Sequence, residues 1–160
     1  MKKLLIALFL FVGALPIAAQ ESTARLFETI SHELPCGDAE ARLDVWFAEL
    51  TGNLPDAKGV AIYYEGDYLQ AKYTRGGEKI SERLVAPVFG EAQRRIHWLQ
   101  NYTNFRGFPR ERLEFIFGGY RTTFAVDLWL VPGGAAYPTP EPNVDRMKFR
   151  PGKFTYFSCV

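Results

Sequence analysis

Two lysines followed by twelve uncharged residues open this chain: Lys2 and Lys3, then residues 4–15, closed by Pro16. A helix that spans a bilayer needs about 20 apolar residues, whereas a secretory leader carries a run of this shorter kind behind a basic start. Residues 1–19 are therefore read as a signal peptide. The small pair Ala18-Ala19 points to cleavage before Gln20, with cleavage after Gln20 as the alternative. No later stretch reaches about 18 apolar residues, so no transmembrane segment is expected in the mature chain. About 140 residues are left to fold, which is one domain's worth.

Apolar residues make up 48% of the chain and charged ones 23%, an ordinary globular balance. Lysine and arginine number 19 against 18 acidic residues, and without Lys2 and Lys3 the count is 17 against 18. Such a chain lacks the basic field on which nucleic-acid binding depends, so no nucleic-acid partner is expected. Export also bears on its two cysteines, Cys36 and Cys159. In an oxidising compartment they are expected to pair, the alternative being two free thiols. The bridge would close a loop worth roughly 4–5 kcal/mol and fasten the C-terminal tail to the start of the first helix.

Periodicity supplies the elements. Residues 24–30 read as a strand. Ala39, Leu43, Trp46, Phe47 and Leu50 recur at helical spacing, giving a helix of about 13 residues that ends near Gly52-Asn53. Residues 60–64 form an apolar, partly β-branched run that reads as a buried strand ending at Glu65-Gly66-Asp67. Residues 68–73 fit a strand or a loop, and Arg75-Gly76-Gly77-Glu78 a turn. Val88, Ala92, Ile96, Leu99 and Thr103 share the face of a second helix running to Asn104. Leu113, Phe115 and Phe117 alternate in one strand, and Phe124, Val126, Leu128 and Leu130 in the next, with a hairpin as the economical link. Ala125, Asp127 and Trp129 should point to the opposite face. Pro138, Pro140 and Pro142 mark an extended linker, after which residues 147–149 and 154–157 flank Arg150-Pro151-Gly152-Lys153 as a small hairpin.

The expectation is an α+β fold: a β-α-β-α-β-β two-layer sandwich with a short aromatic tail. Residues 20–131 would form the domain, 132–144 a proline-rich linker, and 145–160 a tail that packs on it. Phe149, Phe154, Tyr156 and Phe157 would cover the second face of the sheet.

Self-sufficient catalytic motifs are missing. His32 and His97 are the only histidines, and the sequence has no spacing that would gather three or four metal ligands. Ser31-His32-Glu33 has the letters of a triad, but neighbours in sequence point apart. The glycine pairs Gly76-Gly77, Gly118-Gly119 and Gly133-Gly134 read as turns, and no phosphate-binding loop occurs. Arg110, Arg112 and Arg121 read as solvated strand ends. No metal, cofactor or enzymatic activity is expected.

Residues 94–102 (RRIHWLQNY), 106–113 (RGFPRERL) and 117–120 (FGGY) together resemble the end of the OmpA-like domain family. That family has an arginine-bearing helix, a glycine-led turn into a strand and a glycine-tyrosine ending. The resemblance covers about residues 26–131 and is clearest over 94–120. It implies a periplasmic or outer-membrane-attached domain, in a family many of whose members grip the diaminopimelate group of peptidoglycan with an aspartate and an arginine. Arg95 matches the arginine, about 60° from Ala92 on a helical wheel and so at the edge of the buried face. Asp67, in the turn after the second strand, matches the aspartate, although the family's His-Thr pair is not present before it. The resemblance thus implies an exported, non-catalytic cell-envelope domain acting as an adaptor or structural module. Its partner would be peptidoglycan or an envelope protein. A peptidoglycan-binding domain using Asp67 and Arg95 is the first alternative, and an unrecognised periplasmic hydrolase the second.

Overall fold

The computed structural model describes residues 23–31, 36–76 and 79–153, the side chains of residues 36 and 71–73 excepted. The leader, His32, the aromatic residues Phe154, Tyr156 and Phe157, and Cys159 lie outside the described residues, and with them the Cys36–Cys159 bridge and the terminal hairpin. The elements in chain order are β1 (Arg25–Ser31), α1 (Cys36–Ala48), β2 (Lys58–Tyr73), β3 (Lys79–Val85), α2 (Glu91–Phe105), β4 (Leu113–Thr123) and β5 (Ala125–Val131). This is the expected mixture of two helices and a sheet, with one strand, β3, inserted between β2 and α2.

Asp38 stands in the first turn of α1, where negative charge meets the positive end of the helix dipole. The predicted stripe of Ala39, Leu43, Trp46, Phe47 and Leu50 is buried. After Ala48 the helix widens into a π-turn over Glu49–Asn53, closed by Leu54 N–H donating to the Glu49 carbonyl at 3.1 Å. The carbonyls freed at this end are satisfied by Arg112, whose guanidinium donates to Leu50 O at 2.7 Å, Leu54 O at 2.9 Å and Ala57 O at 2.8 Å. Arg112 is therefore a helix-end cap rather than a solvated strand end. In α2 the predicted face of Ala92, Ile96, Leu99 and Thr103 is buried as well. Both helices lie on one side of the sheet, sharing a core with Ile30, Ala61, Leu113, Phe124, Val126, Leu128 and Leu130. Full burial of each large side chain is worth about 1.5–3 kcal/mol.

The sheet departs from expectation at its centre. β4 and β5 do not form a hairpin; they flank β2 on opposite sides. β4 pairs with β2 in parallel, from Gly59↔Leu113 to Asp67↔Thr123, and β5 pairs with β2 antiparallel, from Lys58↔Val131 to Tyr64↔Ala125. On its other edge β5 pairs antiparallel with β1. Gly118-Gly119, read from sequence as a turn, instead sits inside β4 where the register shifts between Tyr63↔Phe117 and Glu65↔Tyr120. Gly118 has no Cβ because Ile62 and Tyr64 occupy that space, and Gly119 has a φ of 96°, a bulge conformation that glycine tolerates. With no turn at Gly118-Gly119, the strand runs on to Thr123. The chain then crosses over β2 with Phe124 as its single linking residue, and Phe124 N–H donates to Asp67 O at 2.9 Å. β2 also outruns its predicted end at Glu65-Gly66-Asp67, continuing to Tyr73 and pairing there with β3 from Tyr68↔Val85 to Tyr73↔Lys79.

On the second face Val60, Ile62, Tyr64, Ala125 and Val131 form a smaller cluster, with Trp129 packed against it. Its cover is the proline-rich segment, which lies extended on the sheet. Glu141 N–H donates to the Tyr64 hydroxyl at 3.1 Å, Asn143 N–H donates to Tyr120 O at 3.0 Å, and Val144 forms a bridge with Tyr120. Phe149 meets Tyr120 edge-on.

Gly66 lies directly under the crossing. A Cβ there would stand 2.2 Å from Thr123 C and 2.4 Å from Phe124 N, both backbone atoms that cannot swing aside. Gly66→Ala is expected to destabilise the fold by about 3 kcal/mol or more, beyond the usual range for a single substitution. Urea unfolding of wild type and variant measures it, with Gly52→Ala, which has open space around it, as the control.

Candidate functional site

The N-cap of α2 is Gly90, at a φ of 75°, and a glycine has no side chain with which to cap the helix. Two carboxylates take over that task. Glu91 Oε2 accepts the Val88 N–H at 3.0 Å, and Glu65 Oε1, reaching across from β2, accepts the Ala92 N–H at 3.0 Å. Glu91 Oε1 in turn accepts Arg95 Nη2 at 2.9 Å, one helical turn on. Glu65 and Glu91 are 4% and 2% exposed, so their carboxyl oxygens are satisfied by these bonds rather than by water.

Arg95 is placed by rings as well as by charge. Its guanidinium lies 4.6 Å from the Tyr68 ring centroid and 5.2 Å from that of Phe124. The Tyr68 hydroxyl is also bonded by Arg150, whose Nε donates to Ala86 O at 3.0 Å and whose backbone N–H donates to Pro87 O at 2.9 Å. Asp67 belongs to the same end of the sheet: it precedes Tyr68 in β2, is half-buried, and accepts the Phe124 N–H through its carbonyl. Arg95 thus lies over Tyr68 and Phe124 and pairs with Glu91, while Asp67 reaches the same end of the sheet through its backbone carbonyl. Glu91 was missed from sequence alone, although its place four residues before Arg95 is the signal that would have found it. Glu65 and Tyr68 gave no comparable signal, and Arg150 joins from a segment more than fifty residues away in sequence.

A second polar cluster lies on the other face. Arg121 pairs with Asp127 through Nη2–Oδ2 at 2.8 Å, Thr29 donates to Asp127 Oδ1 at 2.8 Å, and Arg121 Nε donates to Glu141 O at 3.1 Å. The guanidinium stacks 3.5 Å from the Tyr64 ring centroid. Arg121 is therefore a half-buried strut that joins β1, β4, β5 and the proline-rich segment, which corrects its reading as a solvated strand end. Arg110 is exposed. His97 lies exposed on α2, and no group of three His, Cys, Asp or Glu able to hold a metal gathers among the described residues. No helix among them is long and apolar enough to cross a membrane.

No family model, curated protein or solved structure matches this chain. Its site is therefore read from its own geometry. The Glu65–Glu91–Arg95 cluster can hold a proton and hold a helix end in register.

Burial holds the Glu65 carboxyl up at about 7 from its ordinary 4.5, against the Ala92 N–H bond that favours the charged form; Glu91 pushes it further up, and Arg95 and Arg94 pull it down. In the unfolded chain the same carboxyl ionises near 4.5. Stability from this group is therefore full below pH 4.5 and declines as pH rises to about 7, by up to about 3 kcal/mol. Glu65→Gln keeps the acceptor for Ala92 and has no proton to lose. Its unfolding free energy is expected to stay flatter than that of wild type between pH 4.5 and 7, as read by denaturant titration across that range.

Proposed function

We propose that this chain is an exported, non-catalytic cell-envelope domain that works as an adaptor or structural module. The observation that carries this reading is an aromatic row along the open side of β4. Tyr63 meets Phe117 at 5.5 Å between ring centroids, Phe117 meets Tyr120 at 5.8 Å, and Tyr120 meets Phe149 at 6.3 Å. Phe117 is 48% exposed on a strand whose first half pairs only with β2 among the described residues. Exposed aromatics beside an unpaired strand edge suit a protein partner. The OmpA-like reading is supported by the order of the helices and sheet strands once β3 is set aside as an insertion, and the leader supports export.

A photo-crosslinking residue placed at Phe117 in the exported chain is expected to give a discrete adduct in the envelope, and one placed at Val45, exposed on α1, none. Equal labelling from both positions would count against the adaptor reading.

The second reading, peptidoglycan binding, rests on the family resemblance and on the place of Asp67 in β2 beside Tyr68, the residue over whose ring Arg95 lies. A carboxylate and a guanidinium are the groups that a ligand bearing both an amine and a carboxylate calls for. In that case sedimentation with insoluble peptidoglycan should deplete the wild type and leave Asp67→Ala and Arg95→Ala in solution. Equal retention of all three in solution ends it.

A further inference from the structure

β2 leaves β5 at Tyr64 and β4 at Asp67, and from Tyr68 onward its partner is β3 alone among the described residues. The pair forms a two-stranded ribbon beyond the body of the sheet. Such a ribbon is marginal in water unless something packs on it. One of its faces is open and carries two bulky apolar side chains: Ile80 and Leu84 fall on the same side of β3, 64% and 52% exposed, with Leu84 opposite Leu69 and Glu82 between them paired by Lys79. Five residues beyond Leu84, at the start of α2, Phe89 is 74% exposed. The C-terminal segment is strapped to this same connection by Arg150, through Ala86 O and Pro87 O, and Phe149 packs edge-on against Phe89.

Charge is sorted to the same place. Residues 79–89 and 144–153 contain six lysines and arginines against two acids, whereas the remainder of the chain from Gln20 has eleven against sixteen. Arg150 is committed to the strap and Lys79 pairs with Glu82, but Arg83, Arg146, Lys148 and Lys153 project from the surface. Bulky exposed apolar side chains at the cation-rich end of a nearly neutral molecule complement a surface that is apolar beneath a layer of negative charge. We propose that the β2–β3 ribbon and the strapped tail dock on an anionic phospholipid bilayer. Ile80, Leu84 and Phe89 enter the headgroup boundary, while Arg146 and Lys148 face the lipid phosphates. This goes beyond the adaptor reading, since it assigns lipid rather than protein to this end of the molecule.

The test is co-sedimentation of the mature chain with phosphatidylcholine vesicles, with and without phosphatidylglycerol. Binding is expected only with phosphatidylglycerol, and it should weaken as salt is raised. Arg146→Glu with Lys148→Glu should weaken it by about thirtyfold or more. Ile80→Ser with Leu84→Ser should weaken it by about tenfold. Val45→Ser, at an exposed position on α1, should leave it unchanged, and coincident thermal melts would establish that the variants are folded. Three results overturn the proposal: no binding to anionic vesicles, equal binding to neutral ones, or variants that bind like wild type. Self-association lost in the Ile80/Leu84 variant without any vesicle binding would assign the ribbon to a second copy of the chain and also overturn it.

Discussion

The crossing of Phe124 over Gly66 is the constraint on which the rest of the sheet depends. One residue links β4 to β5, yet the two strands lie on opposite sides of β2, so the chain must pass within van der Waals contact of the β2 backbone. This is possible only where β2 has no side chain to obstruct it. The Phe124 N–H bond to Asp67 O ties the crossing down, and the Phe124 ring then drops into the helix-side core. Because β5 is held at β2 in this way, its free edge is left for β1, and its two faces are set for the two clusters they bury.

Around that frame four half-buried arginines follow one pattern. Arg95, Arg112, Arg121 and Arg150 each set a guanidinium over an aromatic ring, on Tyr68, Phe108, Tyr64 and Tyr68 in turn, and direct the fork of nitrogens at carboxylates, carbonyls or a hydroxyl. A planar, weakly hydrated cation can be buried in this manner, which a lysine ammonium could not match. Aromatic residues make up 15% of the chain, and a share of them serves as platforms for these cations as much as filler for the core.

Much of this was written in the sequence, and the parts that were not have definable causes. Both helices could be read because Leu43, Trp46, Phe47, Ile96 and Leu99 fall on stripes that only a helix can bury. The faces of β5 could be read because its alternation is unbroken. The sheet order was hidden by Gly118-Gly119, since a glycine pair between two alternating runs signals a turn and a bulge equally well; the difference lies in Ile62 and Tyr64, which belong to another strand. At the site, Asp67 and Arg95 came from a family pattern. Glu65 looked like the end of a strand because its partner, the Ala92 N–H, is a backbone group that no side-chain pattern reports. Arg112 and Arg121 looked like surface residues for a related reason: their acceptors are carbonyls and a carboxylate brought in by other elements.

The one-residue link over β2 also makes the sheet a clasp. Drawn sideways out of the layer, β2 would have to break both of its ladders at once, because β4 and β5 are joined across it and cannot part independently. Load applied to the chain would therefore be relieved first at the outer elements, β1 on one side and the β2–β3 ribbon on the other, which have no such lock. During folding the order runs the other way: β2 must already be in place when the last strands arrive, so closure waits on contacts between residues some fifty apart in the chain, a slow kind of step. Interactions formed that late slow unfolding more than they speed folding. The centre of this sheet is thus suited to persistence, and its margins to exchange.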